Sequence, residues 1–326
     1  GGKKKKKLRL SSRSMLVILT GVIFVKFALA LFAADAIDMP GYMAWSKHLV
    51  TRGFDDFYQV WHVVYAPGYL YLLWLSGKLA QIFSLFDTKY HEIFIKFWSI
   101  LFDLIAAWII YLLGKKYKMP VIGFWLGVAY ALNPAIIFNS SIWGQFESVA
   151  TTLLLITVYC FTLRNNAMAV VFFTLAVLVK PQSALFAPIV AYLFLRNFSW
   201  KDFGLSLLGA IGAYLIVVVP FSKDRPLYWI IEHFVKSGGD YPYATANGFN
   251  LWTILGGQTV MDNCPFWGLT YIKWSFIFLA LVYALTIWLL WGKRKRFLRI
   301  YFAAYFLYFG TFLLGTRMHE RYLFPA

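Results

Sequence analysis

Asp38 opens a short polar stretch that includes Pro40, Gly41, Tyr42 and Trp45, and a second acid, Asp35, precedes it. A lone loop aspartate is ordinarily a solvated charge. Its company makes it a candidate base, because other segments carry cations where a phosphate could be met. Lys180-Pro181-Gln182-Ser183 follows an apolar stretch, 167–179, of only 13 residues. As a helix this covers about 20 Å, short of a hydrocarbon core of about 30 Å. A charge at such depth costs about 2.5–3.5 kcal/mol on insertion scales, so it needs a reason. Either Lys180 snorkels through a thinned bilayer or it meets a lipid phosphate. Arg317, His319 and Arg321 stand just past the last apolar run. Residues 317 and 321 share a helical face. They read as an interfacial anchor or as a phosphate clamp, since guanidinium forks match phosphate oxygens. A base opposite a phosphate-binding group is the layout needed to displace a phosphate when an acceptor attacks.

Polar residues also gather in Asn133-Pro134, in Trp143-Gly144-Gln145-Phe146-Glu147-Ser148, and in the stretch Tyr243 to Trp252 with Thr245, Asn247 and Asn250. Aromatic belts at membrane interfaces account for many single tryptophans. Asp103 lies inside an apolar run with Lys96 two turns earlier, which reads as a structural polar contact.

The elements that must position these residues are membrane helices. The 326 residues are 61% hydrophobic and only 14% charged, and mean hydropathy is +0.65. Soluble domains carry about 45–50% apolar and about 25% charged residues. Apolar runs occupy 14–34, 65–86, 93–113, 120–138, 147–163, 167–179, 183–195, 203–221, 272–291 and 298–315. Basic clusters separate some of them: Lys115-Lys116-Tyr117-Lys118, Arg164, Arg196 with Lys201, and Lys293-Arg294-Lys295-Arg296. Residues 1–13 add Lys3 to Lys7, Arg9 and Arg13 without an acid. Assigning all of these to the cytoplasm fixes the orientation. Segments 35–64, 139–146, 180–182, 222–271 and 316–326 then fall on the outer side. Parity requires that 65–86 not be an ordinary span, and it reads as a juxtamembrane or re-entrant helix shielded by protein. The rival is a normal span with a basic external loop at 115–118.

The expected fold is therefore an all-α polytopic membrane protein. It has a basic cytoplasmic tail, 1–13, and a single transmembrane domain, 14–326, of about nine spans with external loops 35–92 and 222–271. The ending Leu323-Phe324-Pro325-Ala326 reads as the start of another span, so a truncated C-terminus is expected.

The motifs in order resemble the GT-C superfamily of polytopic glycosyltransferases, and most closely the bacterial branch related to the second mannosyltransferase of GPI-anchor synthesis. The matching residues are Asp38 with Trp45, Tyr65-Ala66-Pro67-Gly68-Tyr69-Leu70, Asn133-Pro134, Trp143-Gly144-Gln145-Phe146-Glu147, Lys180-Pro181-Gln182, Asn247-Gly-Phe-Asn250-Leu-Trp252 and Met318-His319-Glu320-Arg321-Tyr322-Leu-Phe-Pro325. They span about residues 14–326. Two features depart from that family: it commonly has Asp where Glu147 stands, and its members usually continue further.

The resemblance implies an inverting transfer of a hexose, by family default mannose, from a polyprenyl-phosphate carrier to an acceptor hydroxyl. The implied setting is the outer face of a bacterial cytoplasmic membrane. Asp38 would be the catalytic base. Lys180, His319, Arg321 and Arg317 would bind the carrier phosphate. Trp143, Gln145, Glu147 and Tyr65 would line the sugar or acceptor pocket, with Asn247, Asn250 and Trp252 as a flap. The acceptor would be a glycan, a lipid or a protein. No cofactor is required; a divalent cation is compatible, with Asp35, Asp38 and Glu147 as its candidate ligands.

Rival readings are a lipid-linked sugar transporter or flippase and a non-catalytic membrane subunit of the same fold. Broken helices suit a transporter, but inverted repeats are absent and the polar motifs share one face. Walker, GxGxxG and HExxH patterns are absent. The five histidines are scattered, Cys160 and Cys264 lie on unrelated segments, and no nucleic-acid partner is indicated. The reading depends on a carboxylate and several cations from distant stretches converging at the outer leaflet.

Overall fold

The computed structural model describes residues 11–32, 34, 36–291 and 296–325. The lysine run, Asp35, Lys293 to Lys295 and Ala326 lie outside them. Helices dominate: α1 (Ser12–Ala30), α2 (Asp38–Thr51), α3 (Pro67–Ile82), α4 (Lys89–Lys116), α5 (Pro120–Ala131), α6 (Glu147–Thr162), α7 (Asn166–Val179), α8 (Ala187–Arg196), α9 (Trp200–Val218), α10 (Trp229–Ser237), α11 (Tyr271–Trp291) and α12 (Arg296–Leu314). The described strands are one two-stranded hairpin, Pro265–Phe266 with Leu269–Thr270. This is an all-α polytopic membrane protein.

Among the described residues, four helices are long and apolar enough to cross a membrane: Ser12–Ala30, Lys89–Lys116, Trp200–Phe221 and Tyr271–Trp291. A fifth crossing is available if Pro120–Ala131 and Pro134–Trp143, bent by 49°, form one span. The remaining apolar helices, α6, α7 and α12, are shorter. Nine full-length spans are thus more than length and composition support.

Local sequence explains the ends. Ser11, Asn165 and Ser199 cap α1, α7 and α9 through their side-chain oxygens, and Pro120 sits at the first turn of α5, where its missing N–H costs nothing. α7 stops at Lys180, whose backbone is extended, and Pro181 starts a 3-10 turn, Pro181–Phe186. Extended backbone before proline is the sterically favoured choice. The 14 residues of α7 are therefore a short helix that ends at the lysine.

The chain divides into two compact units, Gly1–Gly53 with Leu70–Tyr159 and Phe54–Tyr69 with Cys160–Ala326. In the first, α4 and α5 form a close antiparallel pair. A Cβ on Gly127 would stand 2.5 Å from the Ala107 carbonyl oxygen, so glycine is what permits the approach. Small residues serve the same purpose in membrane helix pairs generally. In the second, α7 packs on α9, and Asn166 Nδ2 donates to Asn197 O and Asp202 Oδ2 at 3.1 and 3.2 Å. α11 packs on α12, and Gly310 leaves room for Val282.

Two external segments carry structure of their own, and one expectation, for Asp103, needs correction. Within 35–64, α2 and a short helix, Phe57–Val60, occupy much of the segment. Residues 139–146 are mostly buried. Phe138–Trp143 is a π-helical turn in which Asn139, Ser140 and Ser141 are buried, and the Asn139 carbonyl accepts from the Gly144 and Gln145 N–H groups. Asp103 does not pair with Lys96. It binds Lys26 of α1 at 2.7 Å, with both side chains fully buried.

Candidate functional site

The first unit gathers one group of the expected site residues. Asp38 is the first residue of α2 and is half-buried; an acid in a first turn suits the helix dipole. Gln145 Nε2 donates to Asp38 Oδ2 at 2.5 Å. Tyr42, one turn along α2, donates through its hydroxyl to Gln145 Oε1 at 3.0 Å. Gln145 is fully buried, and its backbone carbonyl accepts from Ser99 Oγ of α4 at 2.6 Å. The amide is thus fixed from both ends and orients one carboxylate oxygen. Gly144, at φ +84°, turns the chain from the π-helical turn into this position; a Cβ there would collide with Met39 Cε.

Glu147 begins α6 and is buried. Trp143 is half-buried with its ring edge-on to Phe138, centroids 5.8 Å apart. Ala30, Phe32 and Ala34, ahead of Asp38, are tied down as well. Lys96 Nζ donates to the Ala30 and Phe32 carbonyls at 3.1 and 2.8 Å and pairs with Glu92 at 2.7 Å. Glu92 in turn accepts from the Ala34 N–H.

Sequence reasoning missed Lys26 and Tyr42 as partners. Lys26 carried a usable signal, because a lysine in the middle of an apolar run needs a buried counter-charge. Its Nζ also donates to Ser140 Oγ at 3.2 Å, linking α1 to the π-helical turn that precedes Gln145.

The second unit gathers the cations. Lys180 Nζ lies 4.9 Å from the centre of the Tyr322 ring. His319 packs edge-on to Tyr322 and Tyr241, centroids 5.3 and 5.0 Å away. Burial above all, then the charges of Arg321 and Lys180, hold the His319 imidazole below its ordinary value, with Glu320 and a hydrogen bond to the Ala246 backbone opposing. The charges of Arg321 and Lys180 therefore both reach the His319 imidazole. A half-buried cluster with cations and a neutral imidazole donor suits an anion with several oxygens, such as a phosphate.

Arg317 is placed differently. Its Nε donates to Asp262 Oδ2 at 2.6 Å and its guanidinium to the Gly238 carbonyl at 2.5 Å, which makes it a tether of the loop. Asn250 and Trp252 are tethers too. Asn250 Nδ2 donates to the Phe312 and Gly315 carbonyls, each at 3.0 Å, and Trp252 Nε1 donates to the Leu314 carbonyl at 3.0 Å. Both are buried, and Trp252 sits in a cluster with Ala244 and Tyr271. The stretch 243–252 is thus pinned to the end of α12 and is not a free flap. Asn247 is exposed, at φ +56°, and accepts from Gln258 Nε2 at 2.7 Å. Tyr65 is half-buried; its carbonyl accepts from the Tyr58 hydroxyl at 2.7 Å.

Of the carboxylates considered as metal ligands, Asp35 lies outside the described residues.

Residues 46–235, more than half of the chain, match the family described as PIG-U, GPI transamidase subunit PIG-U. The chain belongs to the PIG-U family. This is a family of membrane proteins of the GPI pathway. The matched range contains Tyr65, Trp143, Gln145, Glu147 and Lys180, while Asp38, Asn247 and the Arg317 to Arg321 stretch fall outside it. No curated protein shows significant similarity to the chain.

Proposed function

We propose that this PIG-U family protein is an inverting glycosyltransferase of the outer face of a bacterial cytoplasmic membrane. It would move a hexose, with mannose the first candidate, from a polyprenyl-phosphate carrier to an acceptor hydroxyl of a glycan, lipid or protein. The observation that carries this reading is the Tyr42–Gln145–Asp38 relay, in which a buried hydrogen bond and a half-buried one aim one carboxylate. A structural surface aspartate does not need such an arrangement.

In this reaction Asp38 takes the acceptor hydroxyl proton as the acceptor oxygen bonds to the anomeric carbon. The bond from that carbon to the carrier phosphate breaks, and the phosphate keeps the electron pair. A sugar hydroxyl is a poor nucleophile, and base assistance of about 10²–10⁴-fold is the expected scale. The departing lipid phosphate carries roughly −2 near pH 7. Lys180, Arg321 and His319 bind it, the first two by charge and the third as a neutral donor. Trp143, Glu147 and Tyr65 contact the sugar or the acceptor. The reaction requires no metal, and a divalent cation remains compatible.

The test is Asp38→Asn in the purified full chain, read by label transfer from a polyprenyl-phosphate hexose. Loss of about 10²-fold or more supports the base role; transfer at the wild-type rate removes it.

The family description favours a second reading, a non-catalytic subunit of a membrane complex that acts in GPI-related chemistry. It predicts no transfer by the wild-type chain with any polyprenyl-phosphate hexose, together with stable co-purification of other membrane subunits.

A further inference from the structure

Two grooves flank the last turn of α11. One lies between α8 and α11, has a volume of about 540 Å³, and is walled by Pro188, Ala191, Leu195, Ile287 and Leu290. Arg196 and Trp291, the final residues of the two helices, also line it. The other, about 420 Å³, is lined by Trp288, Leu289, Trp291 and Arg299. Both volumes fall within the range of about 300–1,000 Å³ usual for ligand sites. Trp291 belongs to both, so an arginine stands in the groove on either side of one tryptophan.

We propose that this paired groove is a binding site for an anionic phospholipid. Its hydrocarbon chains lie along the apolar walls and its phosphate on Arg196 and Arg299. The charge pattern selects the occupant. Neither lining, among the described residues, holds a carboxylate. The C-terminal turns of α8 and α11 present carbonyl oxygens, whose partial charge repels anions, so an anionic headgroup requires cations of its own there. Arg196 and Arg299 supply them.

Basic pockets between membrane helices are a recurrent form of anionic-lipid site. An ordinary interfacial anchor stands on a convex helix surface, whereas here each arginine lines a concavity. This site is separate from the Lys180 cluster and does not depend on sugar transfer.

The experiment is native mass spectrometry of the delipidated full chain in detergent, titrated with phosphatidylglycerol, phosphatidylcholine or undecaprenyl phosphate. Phosphatidylglycerol is expected to bind in preference to phosphatidylcholine. Each of Arg196→Gln and Arg299→Gln should weaken it about fivefold, and the double variant about 25-fold. Arg196 is exposed, so its replacement leaves the packing intact, and an unchanged thermal transition checks this for both variants. A photoactivatable phosphatidylglycerol should crosslink to α8 and α11 in the wild-type chain, which keeps the proposal testable if a variant misfolds. Equal binding of the two phospholipids, undiminished binding by the double variant, a preference for undecaprenyl phosphate, or crosslinks confined to other helices would each overturn it.

Discussion

Gln145 is the residue that turns Asp38 from a loop acid into a directed one. Its amide nitrogen reaches Asp38 and its amide oxygen is held by Tyr42. A hydrogen bond to a charged group contributes about 1.5–3 kcal/mol. Gln145→Leu is therefore expected to slow transfer about ten- to hundredfold, less than Asp38→Asn, and Tyr42→Phe less again. Steady-state rates on the labelled donor check the order; a Gln145→Leu enzyme at full rate would show that the carboxylate needs no guidance.

His319 gives a pH-dependent prediction. Burial and the nearby Arg321 and Lys180 lower its pKa from 6.5 in the folded chain. Below about pH 6.5 the unfolded chain takes up a proton that the fold resists, so stability falls as pH drops through that value toward the lowered one. Above it the group contributes no slope. His233, lowered mainly by burial, works in the same direction. Thermal transitions of His319→Gln should lose less between pH 7 and 5 than the wild type. Arg321→Gln should move the His319 titration upward, as seen by NMR; an unmoved titration would mean that the two side chains do not interact.

At the scale of elements, the π-helical turn Phe138–Trp143 delivers Gln145, and α1 steadies that turn through Lys26. Lys26 bonds Ser140 within the turn and Asp103 on α4. Removing one member of a buried pair strands the other's charge, at about 3–5 kcal/mol, whereas replacing both by apolar residues is often close to neutral. Lys26→Met alone should therefore lower the midpoint of thermal unfolding in detergent more than Lys26→Met with Asp103→Leu. Equal losses would indicate that the pair is valued for its charges and not merely for mutual neutralisation.

The same scale shows what was legible beforehand. The stop at Lys180-Pro181 followed from helix length and proline sterics, and the structure ends α7 there. The tether made by Asn250 and Trp252 was hidden, because sequence spacing cannot reveal that the carbonyls of residues 312–315 need donors. The helices within 35–64 were also hidden. Half of the α2 residues are apolar, but Pro40-Gly41 and Ser46-Lys47-His48 interrupt them, so periodicity over a short window is weak.

For the whole molecule, orientation is the exposed assumption. By the bias that sets membrane topology, the basic clusters at 115–118, 164 and 196–201 are expected on the cytoplasmic side. Single cysteines at Asn247 and at Lys116, in a chain with Cys160 and Cys264 replaced, should react with an impermeant thiol reagent from outside and from inside respectively. Labelling of position 247 from the cytoplasm would reverse the assignment and with it the proposed outer-face chemistry.

Composition and the spacing of apolar runs were enough to determine an all-helical membrane chain, the helix stop at Lys180-Pro181, and the residue types able to act on a phosphate. These depend on transfer free energies and local sterics, which each segment carries by itself. Which donors meet which acceptors was decided only by the tertiary structure: Lys26 with Asp103, Gln145 with Asp38, Arg317 with Asp262. Buried polar groups must find partners at hydrogen-bond distance, and partners separated by tens of residues are set by how helices pack, which no local pattern encodes.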